Sequence, residues 1–354
     1  MNASTSTGLH TAGTLPRCSC LSTCLKPFPG LSRASARTIP IAGVKAGRFA
    51  PNTPAIGSWK TAKHAVNGRL DSAPVTPASE TGAILTITEH DVRSLYLDLL
   101  RRNLTRYGMH ERMPSQWPLR RRLLFKTMNT ISSIRNGTSP FDRRTRELGL
   151  DWPAEAETMI GMQRLTSLQH CVETVLADDV PGDLIECGVW RGGACILMRA
   201  VLAAYGDETR SVWLADSFQG VPRSDPENYQ ADKGIRAELA AGILGVSEAE
   251  VRANFERYGL LDDQVRFLPG WFKDTLQDAP IDRIAVLRLD GDLYESTIQA
   301  LDALYPRLSP GGFCIIDDYL AVKACEQAVT DYRAKHGISA EIVDIDGTGV
   351  LWRK

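Results

Sequence analysis

Ile284-Ala285-Val286-Leu287-Arg288-Leu289-Asp290-Gly291-Asp292-Leu293-Tyr294-Glu295-Ser296-Thr297 and the later Gly311-Gly312-Phe313-Cys314-Ile315-Ile316-Asp317-Asp318-Tyr319 share one plan, a short apolar run ending in paired aspartates. A run of about six apolar residues between turn signals predicts a strand buried on both faces, as in a parallel sheet with helices on either side. Between the two, Glu295 to Leu308 carries Ile298, Leu301, Leu304 and Leu308 at the spacing of an amphipathic helix. Strand, helix and strand give a right-handed parallel crossover. Both strands then end on one sheet edge, with neighbours about 4.8 Å apart, which brings Asp290 and Asp292 beside Asp317 and Asp318. Carboxylates that close raise one another's pKa until a proton or cation relieves them. Hard oxygen donors on an open edge suit a divalent ion such as magnesium; the competing reading is that these aspartates cap a helix or bond loop amides.

Working outward, Leu184-Ile185-Glu186-Cys187-Gly188-Val189-Trp190 predicts the first strand, followed by Arg191-Gly192-Gly193 and an apolar helix over Ala194 to Tyr205. A strand that runs through glycines into a helix lets a ligand approach backbone amides closely. Val212 to Ala215 predicts the second strand, with Asp216 at its end placed to accept hydrogen bonds from ribose hydroxyls. Dinucleotide sites want Gly-x-Gly-x-x-Gly; an acid before the single Gly188 and then a spacer favours S-adenosylmethionine. Val265 to Leu268 predicts a third strand leading to Trp271 and Phe272, which either flank an adenine or belong to the core. A helix from about Val322 to Lys335 and two short strands, Glu341 to Ile345 and Gly349 to Trp352, close the chain. The fold class is therefore α/β: a doubly wound Rossmann-like sheet, mostly parallel, with a C-terminal antiparallel hairpin. An insertion over residues 220–263 is longer than an ordinary connection, a crossover helix accounting for part of it, and reads either as a mobile lid or as an ordinary surface loop; within it Ser247-Glu248-Ala249-Glu250 is a capping box opening a helix that closes at Gly259.

The domain plan reads as a tail (1–85), a helical N-terminal extension (86–180) and the catalytic domain (181–354). Met1 to Leu70 has no acidic residue and nine basic ones among Ser, Thr, Gly and Pro, so the tail is expected to be disordered. Its composition is shared by organelle transit peptides, solvated tails and upstream translation starts, and these stay open. In the extension, Asp91 to Tyr107 predicts a helix packing through Val92, Leu95, Leu99 and Leu104. Met109 to Leu150 predicts short helices and loops with Arg120 to Arg122 on a solvated face, and Asp151-Trp152-Pro153 starts a helix to about Ala177. This extension is a candidate surface for homo-oligomer formation. The net charge of −1 combines a basic tail with an acidic body, which argues against nucleic acid as a partner, and no run of 18 apolar residues predicts a membrane span. Eight cysteines without a second ligand cluster or a dense disulfide spacing point to free thiols and a cytoplasmic location.

Taken together, Leu95 to Leu100, Thr158-Met159-Ile160-Gly161, Gly182 to Glu186 with Gly188 to Gly193, Asp216-Ser217-Phe218, Gly270-Trp271-Phe272, and Leu289 to Asp292 with Asp317-Asp318-Tyr319 resemble the macrocin O-methyltransferase family. The resemblance covers about Asp91 to Lys354. It implies magnesium-dependent methyl transfer from S-adenosylmethionine to a sugar hydroxyl on a macrolide-like or other glycosylated small molecule. It also implies Asp290, Asp317 and Asp318 as metal ligands, Asp292 as general base, Glu186, Gly188, Asp216 and Ser217 as cofactor-binding residues, and Thr158, Ile160 and Gly161 as a cover over the cofactor. Without the resemblance, a metal-independent methyltransferase, a nicotinamide-dependent oxidoreductase and a non-catalytic cofactor-binding protein remain as alternatives.

Overall fold

The computed structural model describes residues 89–354 except 110–112, 139–142 and 237–239; the expected disordered tail lies outside the described residues. In chain order, α1 (Glu89–Leu104), α2 (Leu119–Asn136), α3 (Arg143–Leu148) and α4 (Met162–Ala177) precede β1 (Asp183–Cys187). Then come α5 (Gly193–Tyr205), β2 (Val212–Asp216), α6 (Ala241–Leu244), α7 (Glu248–Arg257), β3 (Val265–Pro269), α8 (Phe272–Thr275) and β4 (Ile284–Leu289). The chain closes with α9 (Tyr294–Leu304), β5 (Leu308–Ile316), α10 (Lys323–His336), β6 (Val343–Asp344) and β7 (Val350–Arg353).

The strands lie in the order β3-β2-β1-β4-β5-β7-β6, with β1 to β5 parallel and β7 antiparallel to both β5 and β6. This is the doubly wound sheet with a terminal hairpin that the apolar runs predict. Side chains alternate between faces along a strand: Leu184, Val286 and Ile315 enter the core beneath α1, α4 and α5, whereas Ile185, Leu287 and Ile316 enter the core beneath α9 and α10. Register then builds the functional edge. Cys187 stands opposite Ala215 and Leu289, and Leu289 opposite Ile316, so Gly188, Asp216, Asp290 and Asp317 leave the sheet in one row. Cross-strand bonds carry the alignment one residue further: Asp290 N–H donates to Cys187 O at 2.8 Å and Asp317 N–H to Leu289 O at 2.9 Å. Strand order reverses between β1 and β4, the place where open α/β sheets bind ligands.

Several local expectations are corrected. The helix expected from Asp151 begins only at Met162, because residues 151–161 spend their carbonyls elsewhere: Ala156 O accepts from Arg191 Nη1 at 2.7 Å and Glu157 O from Gly193 N–H at 2.9 Å. On α1 the packed stripe is Leu97, Leu100 and Leu104, while Val92, Leu95 and Leu99 are exposed. Both stripes have helical spacing, and the docking of α1 on α4 and α5 selects one. Where short helices were expected, α2 runs 18 residues to a left-handed Gly137, with Leu119, Leu123, Ile131 and Ile134 exposed. The crossover helix α9 stops at Leu304 instead of Leu308, since Pro306 lacks the N–H that would continue it, and Tyr305–Arg307 forms a 3-10 turn. The capping box is present, Ser247 Oγ accepting from Glu250 N–H at 3.3 Å, and Gly259 follows α7 in the left-handed region. Cys171, Cys187, Cys195, Cys314 and Cys325 are free and buried, and no helix among the described residues is long and apolar enough to cross a membrane.

Candidate active site

At the strand ends, oxygens of Asp290, Asp317 and Asp318 lie within 4.8 Å of one another. Asp292 stays outside that set. Its backbone takes a left-handed φ of 59° directly after Gly291, and its carboxyl stands beside that of Asp318. Burial, then the charges of Asp290 and Asp317, push the Asp292 carboxyl up to about 7. Burial and Asp317 push Asp290 up to about 6, and burial with the charges of Asp292, Asp290 and Asp317 holds Asp318 well above the usual carboxylate range. The crowding expected from the sequence is present in the distances, and it adds to burial in raising these carboxyls.

Two arginines temper it. Arg288, 1 % exposed and next to last in β4, reaches Glu186, Asp290 and Asp317 with one guanidinium. Arg164 on α4 bonds the other Asp317 oxygen and, at 2.9 Å, Asp346 from the β6–β7 turn. Four carboxylates (Glu186, Asp290, Asp317, Asp346) thus share two guanidinium groups, Asp292 and Asp318 stand beside them without an arginine partner among the described residues, and negative charge remains in excess. Asp318 Oδ2 is buried with no hydrogen-bond partner among the described residues. An all-oxygen donor set with an orphaned carboxylate oxygen and surplus negative charge fits a hard divalent ion.

A cavity of about 540 Å³ opens beside this edge, lined by Gly188, Asp216, Ser217, Asp290 and Asp292 among the predicted residues. Gly188 is required by contact: it has φ 89°, and a Cβ there would lie 2.0 Å from the Asp290 carbonyl oxygen, so the loop after β1 rests directly on the acidic loop. Asp216 accepts from Val189 N–H and Phe218 N–H, each at 2.7 Å, and thereby shapes the loop; burial raises its pKa against the pull of these amides.

Glu186, Thr158, Ile160, Gly161, Asp317 and Asp318 are not among the lining residues. Glu186 lies beneath the floor, between Arg288 and the Cys195 thiol, which donates to Oε2 at 2.8 Å; burial pushes its carboxyl up to about 7. From the strip 158–161 it is Met159 that lines the cavity, while Thr158 packs against Gly193 and Gly161 against Glu147. Sequence reading missed Arg288 and Arg164. Arg288 had a signal, being the one charge within an otherwise apolar strand; Arg164 had none, since only the landing of α4 brings it to Asp317. From the insertion, Val221, Pro222, Arg223 and Asp225 form one wall, facing Trp271, Phe272 and Lys273.

Comparison with known proteins gives the family. The model of the macrocin-O-methyltransferase family matches residues 93–354. The chain is 56% identical over 263 residues to 8-demethyl-8-(2,3-dimethoxy-alpha-L-rhamnosyl)-tetracenomycin-C 4'-O-methyltransferase of Streptomyces olivaceus, covering 74% of this chain and 94% of the relative. It is 50% identical over 262 residues to mycinamicin III 3''-O-methyltransferase of Micromonospora griseorubida, covering 73% and 96%. Among solved structures, the O-methyltransferase NovP matches with a TM-score of 0.65 at 47% identity, covering 74% of this chain and 99% of that one.

Proposed function

From the premise that the chain belongs to the macrocin O-methyltransferase family and is an S-adenosylmethionine-dependent O-methyltransferase, we infer that it methylates a sugar hydroxyl on a glycosylated small molecule with help from magnesium. The observation that carries the metal is the Asp290, Asp317 and Asp318 triad with its partnerless Asp318 Oδ2. S-adenosylmethionine supplies the electrophilic methyl group, and a divalent ion held by the triad would lower the pKa of an acceptor hydroxyl, as it does for bound water. Asp292 stands apart from the triad yet lines the cavity, so it takes the hydroxyl proton as the oxygen attacks. Asp216 and Ser217 bind the nucleoside end, with Gly188 allowing close approach and Met159 covering it. The 221–225 wall and Trp271–Lys273 at the start of α8 exclude water and orient the acceptor.

A metal-independent transfer is the second reading, favoured by one observation: both Asp317 oxygens already accept from guanidinium groups. Calorimetric titration with S-adenosylmethionine, in magnesium and in excess chelator, separates them when paired with turnover on a panel of deoxysugar glycosides. Cofactor binding that survives chelation while turnover is lost supports the metal-assisted reading; turnover indifferent to chelator selects the alternative. Asp292→Asn is expected to lower kcat by about 10²–10⁴-fold with cofactor affinity unchanged, and a variant that keeps its turnover removes Asp292 as base.

A further inference from the structure

The insertion is seated on the catalytic loop by one buried side chain. Asp232, 0 % exposed, ends a 3-10 turn (Gln230–Asp232) and accepts hydrogen bonds from Tyr294 N–H at 2.7 Å and Glu295 N–H at 3.0 Å. These are the first two residues of α9, whose own N-cap, Leu293, has no side-chain acceptor, so Asp232 caps the helix from 62 residues away. A carboxylate there satisfies orphan amides and meets the positive end of the helix dipole.

The same first turn of α9 holds the acidic loop. Ser296 Oγ donates to Gly291 O, and Leu293 N–H to the same oxygen at 2.6 Å, around the left-handed Asp292. On the other side of Asp232 the insertion is closed on itself: Tyr229 N–H donates to Asp225 O at 2.8 Å, Ser224 Oγ to Ile235 O at 3.1 Å, and Ile235 N–H to Asp232 O at 3.1 Å. Asp225 lines the cavity on that side, and Glu295, Ser296 and Gln299 line it from α9.

We propose that Asp232 is a positioning residue for the transfer: by capping α9 from the insertion, it fixes the Asp290–Asp292 loop and seats the 220–236 cavity wall as a single unit. Its effect on chemistry rests on the reading of Asp292 as base, but the latch itself does not. Hydrogen exchange of the full chain, with S-adenosylhomocysteine and magnesium present, reads the latch directly. In Asp232→Ala the Tyr294 and Glu295 amides are expected to exchange at least tenfold faster, with the amides of 220–236 accelerating alongside them. Asp232→Asn, which keeps one accepting oxygen, falls between. Calorimetry adds a measurement that general destabilisation does not move: magnesium Kd is expected to weaken about tenfold in Asp232→Ala while the Kd for S-adenosylhomocysteine stays within twofold. Unchanged exchange at 294 and 295, or acceleration there without any change over 220–236, overturns the latch. A wild type that binds no magnesium counts against the metal reading instead, and the exchange result still decides the latch.

Discussion

The acidic strand edge and the 220–263 insertion both line one cavity, yet they are specified by different kinds of information. The edge is local. An apolar run fixes each strand, parallel register aligns the strand ends, and whatever follows Leu289 and Ile316 must share an edge. The insertion is polar and irregular in sequence, and its seat depends on one side chain meeting a helix end that forms 62 residues later. Pattern therefore reveals where charge will gather, while the partners that restrain it come from distant parts of the chain.

The largest test of that contrast is Arg288→Met, which strips the local edge of its internal cation. Breaking a buried ion pair from one side costs about 3–5 kcal/mol, so denaturant unfolding should show a loss of that order, and added magnesium should recover part of it. If stability is untouched, the edge does not need its internal counter-ion. Gly188→Ala probes the contact between the two loops of the edge: with φ 89° and the Asp290 oxygen 2.0 Å from the new Cβ, a loss of about 1–3 kcal/mol is expected, together with weaker S-adenosylmethionine binding by calorimetry.

A smaller effect follows from proton affinity. Glu186 and Asp292 are pushed up to about 7 and Asp290 to about 6, so the folded chain binds more protons than the unfolded chain between the ordinary carboxylate range and neutrality. The stability these groups contribute is present at low pH and is lost as pH rises through their folded values. Chelated protein should accordingly have a higher Tm at pH 6 than at pH 8, with magnesium narrowing the gap; an inverted order means that the edge is not short of positive charge. The smallest change is in the insertion, where Ser247→Ala removes the cap of α7 at a cost of about 1 kcal/mol, read as a slight Tm decrease without loss of cofactor binding.

The doubly wound class, the row of acids, Gly188 and the Ser247 cap were legible because each follows from neighbours in sequence. The face of α1 was not: Val92, Leu95 and Leu99 have the same periodicity as Leu97, Leu100 and Leu104, and only docking distinguishes them. The late start of α4 was hidden for a related reason, since the carbonyls of Ala156 and Glu157 are claimed by the loop after β1. Of the covering strip Thr158 to Gly161 only Met159 lines the cavity, because side-chain direction within an irregular segment has no sequence period. Asp232 lay in the stretch read as a mobile lid, and nothing local distinguishes it from Asp225.

The pairing of β1 with β4 has a consequence for how the molecule is made. Glu186 and Arg288 are 102 residues apart, and β2, β3 and the whole insertion are synthesised between them. A nascent chain that has just delivered β3 already holds Gly188 and Asp216 but no guanidinium for Glu186. That carboxyl cannot settle into the interior until β4 emerges and slots between β1 and the solvent. Contacts of such long sequence separation are slow to close, so the pocket for the nucleoside and the acidic edge should be acquired together, in one late step of folding.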